Sequence, residues 1–401
     1  MKICIAGATG YIGSKLISEL IQEGHQIISL VRDKSRTAPA IVCDLREPLP
    51  DLPYDIDVAY YLVHSMKDNH SNFYQKEEEC ALNFLSALKK TACKQIIFLS
   101  GLCHTSPSSE HLRSRQNVES IFRNSSIPST ILCAGIVIGE GSASFEIMRD
   151  LVEKLPIMIT PRWVNSLCQP IAISDLLFYL KGVANLPATY NKTFEIGGPD
   201  ILSYKEMLLY LAKERGLKRL LIPVPVLSPL LSSYWLIFIT KVNFRLAQAL
   251  VESLTTNAIA KEHSIDTILP HTCLSYGHSL VETLSSHSSP SYGVFTINIS
   301  SLSNKKTLPP IEPLLFSWRG NTLFNIKPFS WRPLKKASEK ALWYSSRCRF
   351  GEAWLEWNLE EGLLEQKFTY RPKGLLGRFF WYLLFPMKKR VLSQLLKEVS
   401  Q

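Results

Sequence analysis

Met1-Lys-Ile-Cys-Ile-Ala-Gly-Ala-Thr-Gly-Tyr-Ile-Gly13 opens the chain, and its reading decides the fold. Ile3 to Ala6 is a short apolar strand. Gly7, Gly10 and Gly13 punctuate the turn that follows, and a helix is predicted over Ser14–Gln22. Each glycine has a separate physical use. Gly7 permits a sharp turn after the strand, Gly10 lets backbone approach a diphosphate, and Gly13 allows close packing of helix on strand. The free N–H groups and positive dipole end of the helix then face the phosphates. A second strand, Gln26–Val31, follows Gly24, so the glycines have the strand–turn–helix–strand context that this use requires.

The second strand ends in Arg32, followed by Asp33, Lys34 and Arg36. In a dinucleotide-binding sheet this end faces the adenosine ribose. A carboxylate there selects NAD, whereas an arginine accommodates the 2′-phosphate of NADP. Arg32 therefore points to NADP(H), with NAD as the alternative. A third strand, Ala40–Val42, leads to Asp44 and Leu45, and the Asp44 carboxylate is placed to accept from an adenine amino group. Val58–Val63 is a continuous apolar run, as expected of a strand buried on both faces of a parallel sheet. Leu62, Val63 and His64 close it at the carboxyl end, where ligands bind in open α/β sheets. Ser100 and Gly101 end the next strand in the same way. With the strand Ser129–Gly135, six strands alternate with helices, which predicts a doubly wound parallel sheet.

The 401 residues suffice for two domains. A hydrophobic content of 46% and a mean hydropathy of +0.04 fit a core-forming chain. The net charge of +10 suits anionic ligands such as a dinucleotide phosphate. No basic helix carries interleaved stacking aromatics, so a nucleic-acid partner is not expected. The nine cysteines show no Cys-x-x-Cys and no Cys/His spacing suited to zinc, so no metal site is expected. Cysteines inside predicted strands (Cys4, Cys43, Cys133) suit a reducing compartment, and the first strand begins at the first residues with no leader before it. A cytoplasmic protein is the expectation; the alternative is a peripheral protein at the inner face of the cell membrane.

The glycine-rich turn, Asp44-Leu45, the strand ending at Ser100 and Ala134-Gly-Ile-Val-Ile-Gly139 resemble the short-chain dehydrogenase/reductase superfamily in its extended or atypical, NmrA-like branch. Gln169-Pro-Ile-Ala-Ile-Ser-Asp175 and Phe194-Glu-Ile-Gly-Gly-Pro-Asp200 are similar to segments beyond the cofactor strands in that branch, the latter to its small substrate lobe. The resemblance covers roughly residues 1–265 and the tail in part. It implies a Rossmann fold and a diphosphate cradle of Gly7, Thr9, Gly10, Tyr11, Ile12 and Gly13. It also implies oxidoreductase or epimerase-like activity on a small, hydrophobic substrate. The superfamily's Tyr-x-x-x-Lys pair is absent. Its slot holds His111 and Arg115, one helical turn apart, with Ser100 as the serine-region residue. His111 can move a proton near neutral pH. Arg115 can hold ribose or phosphate but does not share a proton. The changed pair keeps a second reading open, that of a non-enzymatic NADP(H)-binding redox sensor or assembly factor.

The predicted organisation is a nucleotide-binding domain over 1–265, with its substrate lobe from about 140; a Ser/His/Pro-rich linker over 266–310; and a C-terminal α+β domain over 311–401. In the last domain, Trp343–Phe350, Ala353–Leu359 and Leu364–Tyr370 alternate like antiparallel strands, and Arg378–Val399 reads as a long helix. A subgroup of the superfamily carries a tail related to START/polyketide-cyclase folds, which this pattern resembles in shortened form. The aromatic helix, with Lys388, Lys389 and Arg390, either packs on the sheet or touches a membrane surface.

Overall fold

Lys2–Ala6 (β1), Gln26–Val31 (β2) and Ala40–Val42 (β3) form one half of a parallel sheet, with Tyr11–Gln22 (α1) crossing between the first two. Val58–Tyr61 (β4) returns to the other side of β1, and its crossover to Gln95–Gly101 (β5) contains the helix Phe73–Leu88 (α2). Glu110–Arg123 (α3) leads to Ser129–Ala134 (β6). The computed structural model describes residues 1–32, 39–63, 73–102, 110–224, 256–285, 295–302, 332–333, 341–348, 351–360, 363–372 and 393.

Short elements follow: Val137–Ile138 (β7), Ala143–Lys154 (α4), Ile157–Thr160 (β8), Leu167–Cys168 (β9), Ile171–Ala172 (β10) and Ile173–Gly182 (α5). Lys192–Ile196 (β11) then pairs in parallel with β6, register Lys192 to Thr130. The central sheet thus has seven strands in the order β11-β6-β5-β4-β1-β2-β3, all parallel. Phe194 to Ile196, expected in a substrate lobe, is instead the edge of this sheet. Leu202–Ser203 (β12), Tyr204–Glu214 (α6) and Leu220–Pro223 (β13) follow. Ser203 and Glu206 start α6 with a reciprocal capping box.

The apolar runs bury both faces of the sheet, with the strand period of two deciding which face each residue serves. Ile3, Ile5, Val58, Tyr60, Ile97 and Leu99 pack with Leu16, Leu20, Leu176 and Leu180 from α1 and α5. Cys4, Ala6, Ala59, Tyr61, Ile96 and Phe98 pack with Phe84, Leu88, Val118 and Phe122 from α2 and α3. On that second face Tyr61, Phe84, Phe98 and Phe122 meet at tilted or edge-on centroid distances of 5.1–6.4 Å. Each such pair adds about 0.5–1.5 kcal/mol beyond area burial.

Among the described residues Cys4, Cys80, Cys93, Cys133 and Cys168 are buried as small hydrophobes, and that has a pH signature. Burial first, and nearby carboxylates at all three, push the Cys93 thiol up to about 11 and those of Cys80 and Cys133 up to about 12. A folded value above the ordinary 9.0 favours the neutral form. This contribution is complete below pH 9 and is lost as the pH climbs towards the folded values. Stability is therefore expected to fall above about pH 9, by roughly 1 kcal/mol per buried thiol per pH unit. Urea midpoints measured between about pH 8 and about pH 10.5 check this, and Cys93→Ala is expected to flatten the fall.

The chain divides into two compact units, Met1–Val152 with Ile157–Ser285, and Glu153–Pro156 with Ser286–Gln401. The expected linker over 266–310 is therefore corrected. Tyr276–Ser285 (α7) is a helix of the first unit, fixed by Tyr276, whose backbone N–H donates to Asp200 and whose hydroxyl donates to the Met207 carbonyl. In the second unit, Phe295–Leu302 (β14), Arg332–Pro333 (β15), Ala341–Cys348 (β16), Gly351–Glu360 (β17) and Leu363–Pro372 (β18) form an antiparallel sheet in the order β14-β18-β17-β16-β15. The three strands predicted there are present. The fully buried Trp357 donates its indole N–H to Gln366 at 2.8 Å, across the β17–β18 pair. The predicted helix 378–399 lies outside the described residues, apart from Ser393, which is helical. Among the described residues no helix is long and apolar enough to cross a membrane.

Candidate functional site

The strand order reverses between β1 and β4, and in open parallel sheets the crevice beyond the strand ends at this point is where ligands sit. The glycine-rich turn occupies it. Gly7 has φ +90°, in the left-handed region that a side chain rarely adopts. A Cβ on Gly7 would also lie 2.7 Å from the carbonyl carbon and oxygen of Leu62. A Cβ on Gly13 would lie 2.2 Å from the Gly7 oxygen, so α1 presses directly on the turn. Gly10 differs. It is exposed, and the single neighbour its Cβ would meet is the Gly7 oxygen at 3.1 Å, with open space beyond.

Gly10 is also the N-cap of α1, with no side-chain cap and no acidic residue in the first turn. The start of this helix is thus left for an external acceptor, and an anion placed there meets no like charge from the first turn. Thr9 is exposed beside it, and Tyr11 and Ile12 are half-buried. The Tyr11 hydroxyl is buried against Gly139, whose added Cβ would lie 2.1 Å away, and it has no hydrogen-bond partner among the described residues. Burial raises the Tyr11 phenol far above its usual range, and the charges of Glu140 and Glu282 add to this. An open cradle at Gly10, an uncapped helix start and an orphaned hydroxyl together fit a nucleotide diphosphate.

The end of the crevice expected to face adenosine is assembled from β2 and β3. Val31 pairs with Val42, so Arg32 and Asp44 leave the sheet at the same end. Arg32 is exposed. The Asp44 carboxylate accepts the Arg46 backbone N–H at 3.0 Å and the Arg46 guanidinium. That hydrogen bonding, with the Arg32 charge as a smaller contribution, holds its carboxyl below the usual carboxylate range. Asn83 of α2 donates to the Leu45 carbonyl at 3.0 Å, fixing the loop behind. Asp33, Lys34 and Arg36 lie outside the described residues, as does His64.

On the other side of the crevice, Leu62 donates its backbone N–H to Ala6 at 2.9 Å, continuing the sheet beyond β4. Ser100 is buried at the end of β5 and Gly101 half-buried, with no atom within 4 Å of the Cβ that Gly101 lacks. His111 is the second residue of α3, and its side chain lies outside the description.

Arg115 is placed differently from the ribose- or phosphate-holding role expected of it. Its guanidinium is buried and donates to the Val63 carbonyl at 2.9 Å and to the Leu99 carbonyl. It lies 3.8 Å from the buried Glu77 carboxylate and 4.5 Å above the Phe98 ring. Its donors face the ends of β4 and β5. The i,i+4 spacing with His111 fixes one helix face, but not that the face points inward.

Gln169 belongs to no motif of the sequence that assigns it a role. Its buried amide donates to the Gly198 carbonyl at 2.7 Å and accepts from the Ala260 N–H at 2.9 Å. A Cβ on Gly135 would lie 2.3 Å from the Gln169 carbonyl. Gln169 thus joins the ends of β6 and β11 to the returning chain near residue 260, and the glycines beside it are the signal in the sequence.

Residues 3–126 match the NAD dependent epimerase/dehydratase family. Over 226 residues the chain is 23% identical to the chloroplastic divinyl chlorophyllide a 8-vinyl-reductase of Arabidopsis thaliana, covering 50% of this chain and 54% of that one. The chain spans about half the length of the curated reductases it matches. Among solved structures, a triphenylmethane reductase of Citrobacter sp. superposes with a TM-score of 0.57 at 16% identity, covering 71% of this chain and 100% of that one. UDP-glucuronic acid 4-epimerase of Bacillus cereus, in complex with UDP-glucuronic acid and NAD, gives 0.52 at 16%, covering 71% and 98%.

Proposed function

We propose that this chain, whose N-terminal segment is an NAD(P)-binding domain of the epimerase/dehydratase type, is an NADP(H)-dependent reductase acting on a small hydrophobic molecule. The carrying observation is the crevice between β1 and β4. There an open cradle at Gly10, an uncapped helix start and Arg32 at the ribose end lie along one line of strand ends. The similarity to the divinyl chlorophyllide a 8-vinyl-reductases supports reduction over epimerisation.

Bound NADPH would supply a hydride. The chain's own residues would do the rest. Gly7, Thr9, Gly10, Tyr11, Ile12 and Gly13 cradle the diphosphate, Arg32 holds the 2′-phosphate, and Asp44 and Leu45 border the adenine. Leu62, Val63, His64, Ser100 and Gly101 line the nicotinamide side. His111 provides the proton, histidine being the side-chain type suited to proton transfer near neutral pH. Arg115 holds the strand ends that carry these groups. The antiparallel sheet of the second unit is read as a shortened START-like domain.

Arg32 gives the test. A planar fork of donors matches phosphate oxygens, and a charge-assisted hydrogen bond contributes roughly 1.5–3 kcal/mol. NADPH is therefore expected to bind about tenfold to a hundredfold more tightly than NADH. Arg32→Ala is expected to remove most of that preference and leave NADH binding nearly unchanged. Calorimetric titration of both proteins with both cofactors decides it; equal affinities in the parent protein would end the NADP assignment.

One observation favours the second reading, a nucleotide-responsive sensor. The pair in the superfamily's catalytic slot is His111 with a buried arginine occupied by carbonyls. Transfer of deuterium from 4-deuterated NADPH to a product, lost in His111→Ala, would exclude it.

A further inference from the structure

Three metal-ligand side chains meet in the first unit, away from any spacing pattern in the sequence. Asp175 lies in the first turn of α5 and is 3% exposed. His271 and Cys273 come from the loop before α7. The three donor atoms all lie within 4.8 Å of one another. Asp175 Oδ1 is 2.8 Å from His271 Nε2, and Asp175 Oδ2 accepts the Leu274 N–H at 2.8 Å.

We propose that Asp175, His271 and Cys273 form a site for a divalent ion of borderline softness, with zinc the best match. The oxygen, nitrogen and sulfur donors are the ligand types that zinc takes at about 2.0–2.3 Å. Such bond lengths place neighbouring tetrahedral ligands about 3.3–3.8 Å apart. The observed spacings, from 2.8 Å to at most 4.8 Å, bracket that range, so small side-chain rotations suffice. The surroundings already fix each ligand. The His271 ring stacks on Phe178, centroids 4.0 Å apart and planes at 17°, and meets Tyr179 edge-on. The Leu274 N–H holds the carboxylate from behind. The Tyr179 hydroxyl donates to Asp266 at 2.9 Å and lies 3.5 Å from the Cys273 sulfur. Outer contacts of this kind orient ligands and raise metal affinity.

The charges balance. Asp175 carboxylate and Cys273 thiolate neutralise a divalent cation, while neutral His271 adds none. On binding, the Cys273 S–H proton leaves to solvent as the metal–sulfur bond forms. Because binding releases that proton, affinity rises with pH. His271 is partly exposed, which leaves room for a water as fourth ligand. The site pins the loop 270–274 to the start of α5 and is independent of the cofactor reading.

The test uses the full chain without an affinity tag, stripped with a chelator. Titration with zinc against a chromophoric competitor is expected to show one equivalent bound. Cobalt is expected to give a near-ultraviolet thiolate-to-cobalt band. Cys273→Ser is expected to abolish that band. His271→Asn, which keeps a donor towards Asp175, is expected to weaken zinc at least about tenfold. Should Cys273→Ser not fold, the His271→Asn titration decides alone. Absence of stoichiometric binding, a cobalt band retained in Cys273→Ser, or unchanged affinity in His271→Asn would each overturn the assignment.

Discussion

Gly7→Ala is expected to destabilise the nucleotide-binding unit by about 2–6 kcal/mol, while Gly10→Ala leaves its stability nearly unchanged. Two costs add at Gly7. Its φ of +90° is strained for any L side chain, at roughly 1–3 kcal/mol. The new Cβ would also lie 2.7 Å from the Leu62 carbonyl group, which is backbone and cannot rotate away. Overpacking of that kind costs about 1–3 kcal/mol more. The turn and the end of β4 would have to separate, which opens the crevice beyond the strand ends. Gly10 meets one oxygen at 3.1 Å and otherwise faces open space. A larger side chain there, as in Gly10→Val, fills the cradle without touching the core. Guanidinium midpoints and NADPH affinity, measured on both variants, separate the effects. Gly7→Ala is expected to lower the midpoint sharply, whereas Gly10→Val keeps the midpoint and loses nucleotide binding. A Gly10→Val protein that binds NADPH normally would show that the diphosphate lies elsewhere.

These glycines show why so much of the first unit was legible. A strand, a glycine turn and a helix are adjacent in the chain, and their signals are local. The buried runs Ile3–Ala6, Val58–Tyr61, Ile96–Leu99 and Ile131–Ala134 are apolar without interruption, because both faces are covered. The edge strand β11 carries the mixed run Lys192-Thr-Phe-Glu-Ile196, and its partner β6 lies about sixty residues earlier in the chain. Nothing local distinguishes it from a lobe segment. α7 was hidden by composition. Its Ser, Gly, His and Thr residues read as a linker, yet Tyr276, Leu280 and Thr283 share a face at helical spacing and are buried. Asp175 and His271 are ninety-six positions apart in the chain, so no spacing rule joins them. Arg115 illustrates a different limit. Its type and spacing were visible, but its hydrogen-bond acceptors are two main-chain carbonyls, which carry no sequence signal.

Those carbonyls make Arg115 the site of the second large effect. The guanidinium bridges Val63 and Leu99, at the carboxyl ends of adjacent parallel strands. It also brings a positive charge within 3.8 Å of the buried Glu77. Removing one member of a buried pair typically costs about 3–5 kcal/mol, because the other charge keeps its desolvation cost. Arg115→Met keeps much of the apolar stem and loses all of these contacts, so a loss of about 3–5 kcal/mol is expected. Arg115→Lys retains the charge, but an ammonium on a flexible stem does not reproduce a fork held between two strand ends and stacked on Phe98. Its cost is expected to fall between those of the parent and the methionine variant. Urea midpoints of the three proteins give that order. NADPH affinity, measured on the folded fraction of each, supplies the second readout. An arginine that positions strand ends is expected to change affinity in step with stability. A methionine variant as stable as the parent but unable to bind NADPH would mean that Arg115 contacts the cofactor itself, and the clamp would have to be abandoned.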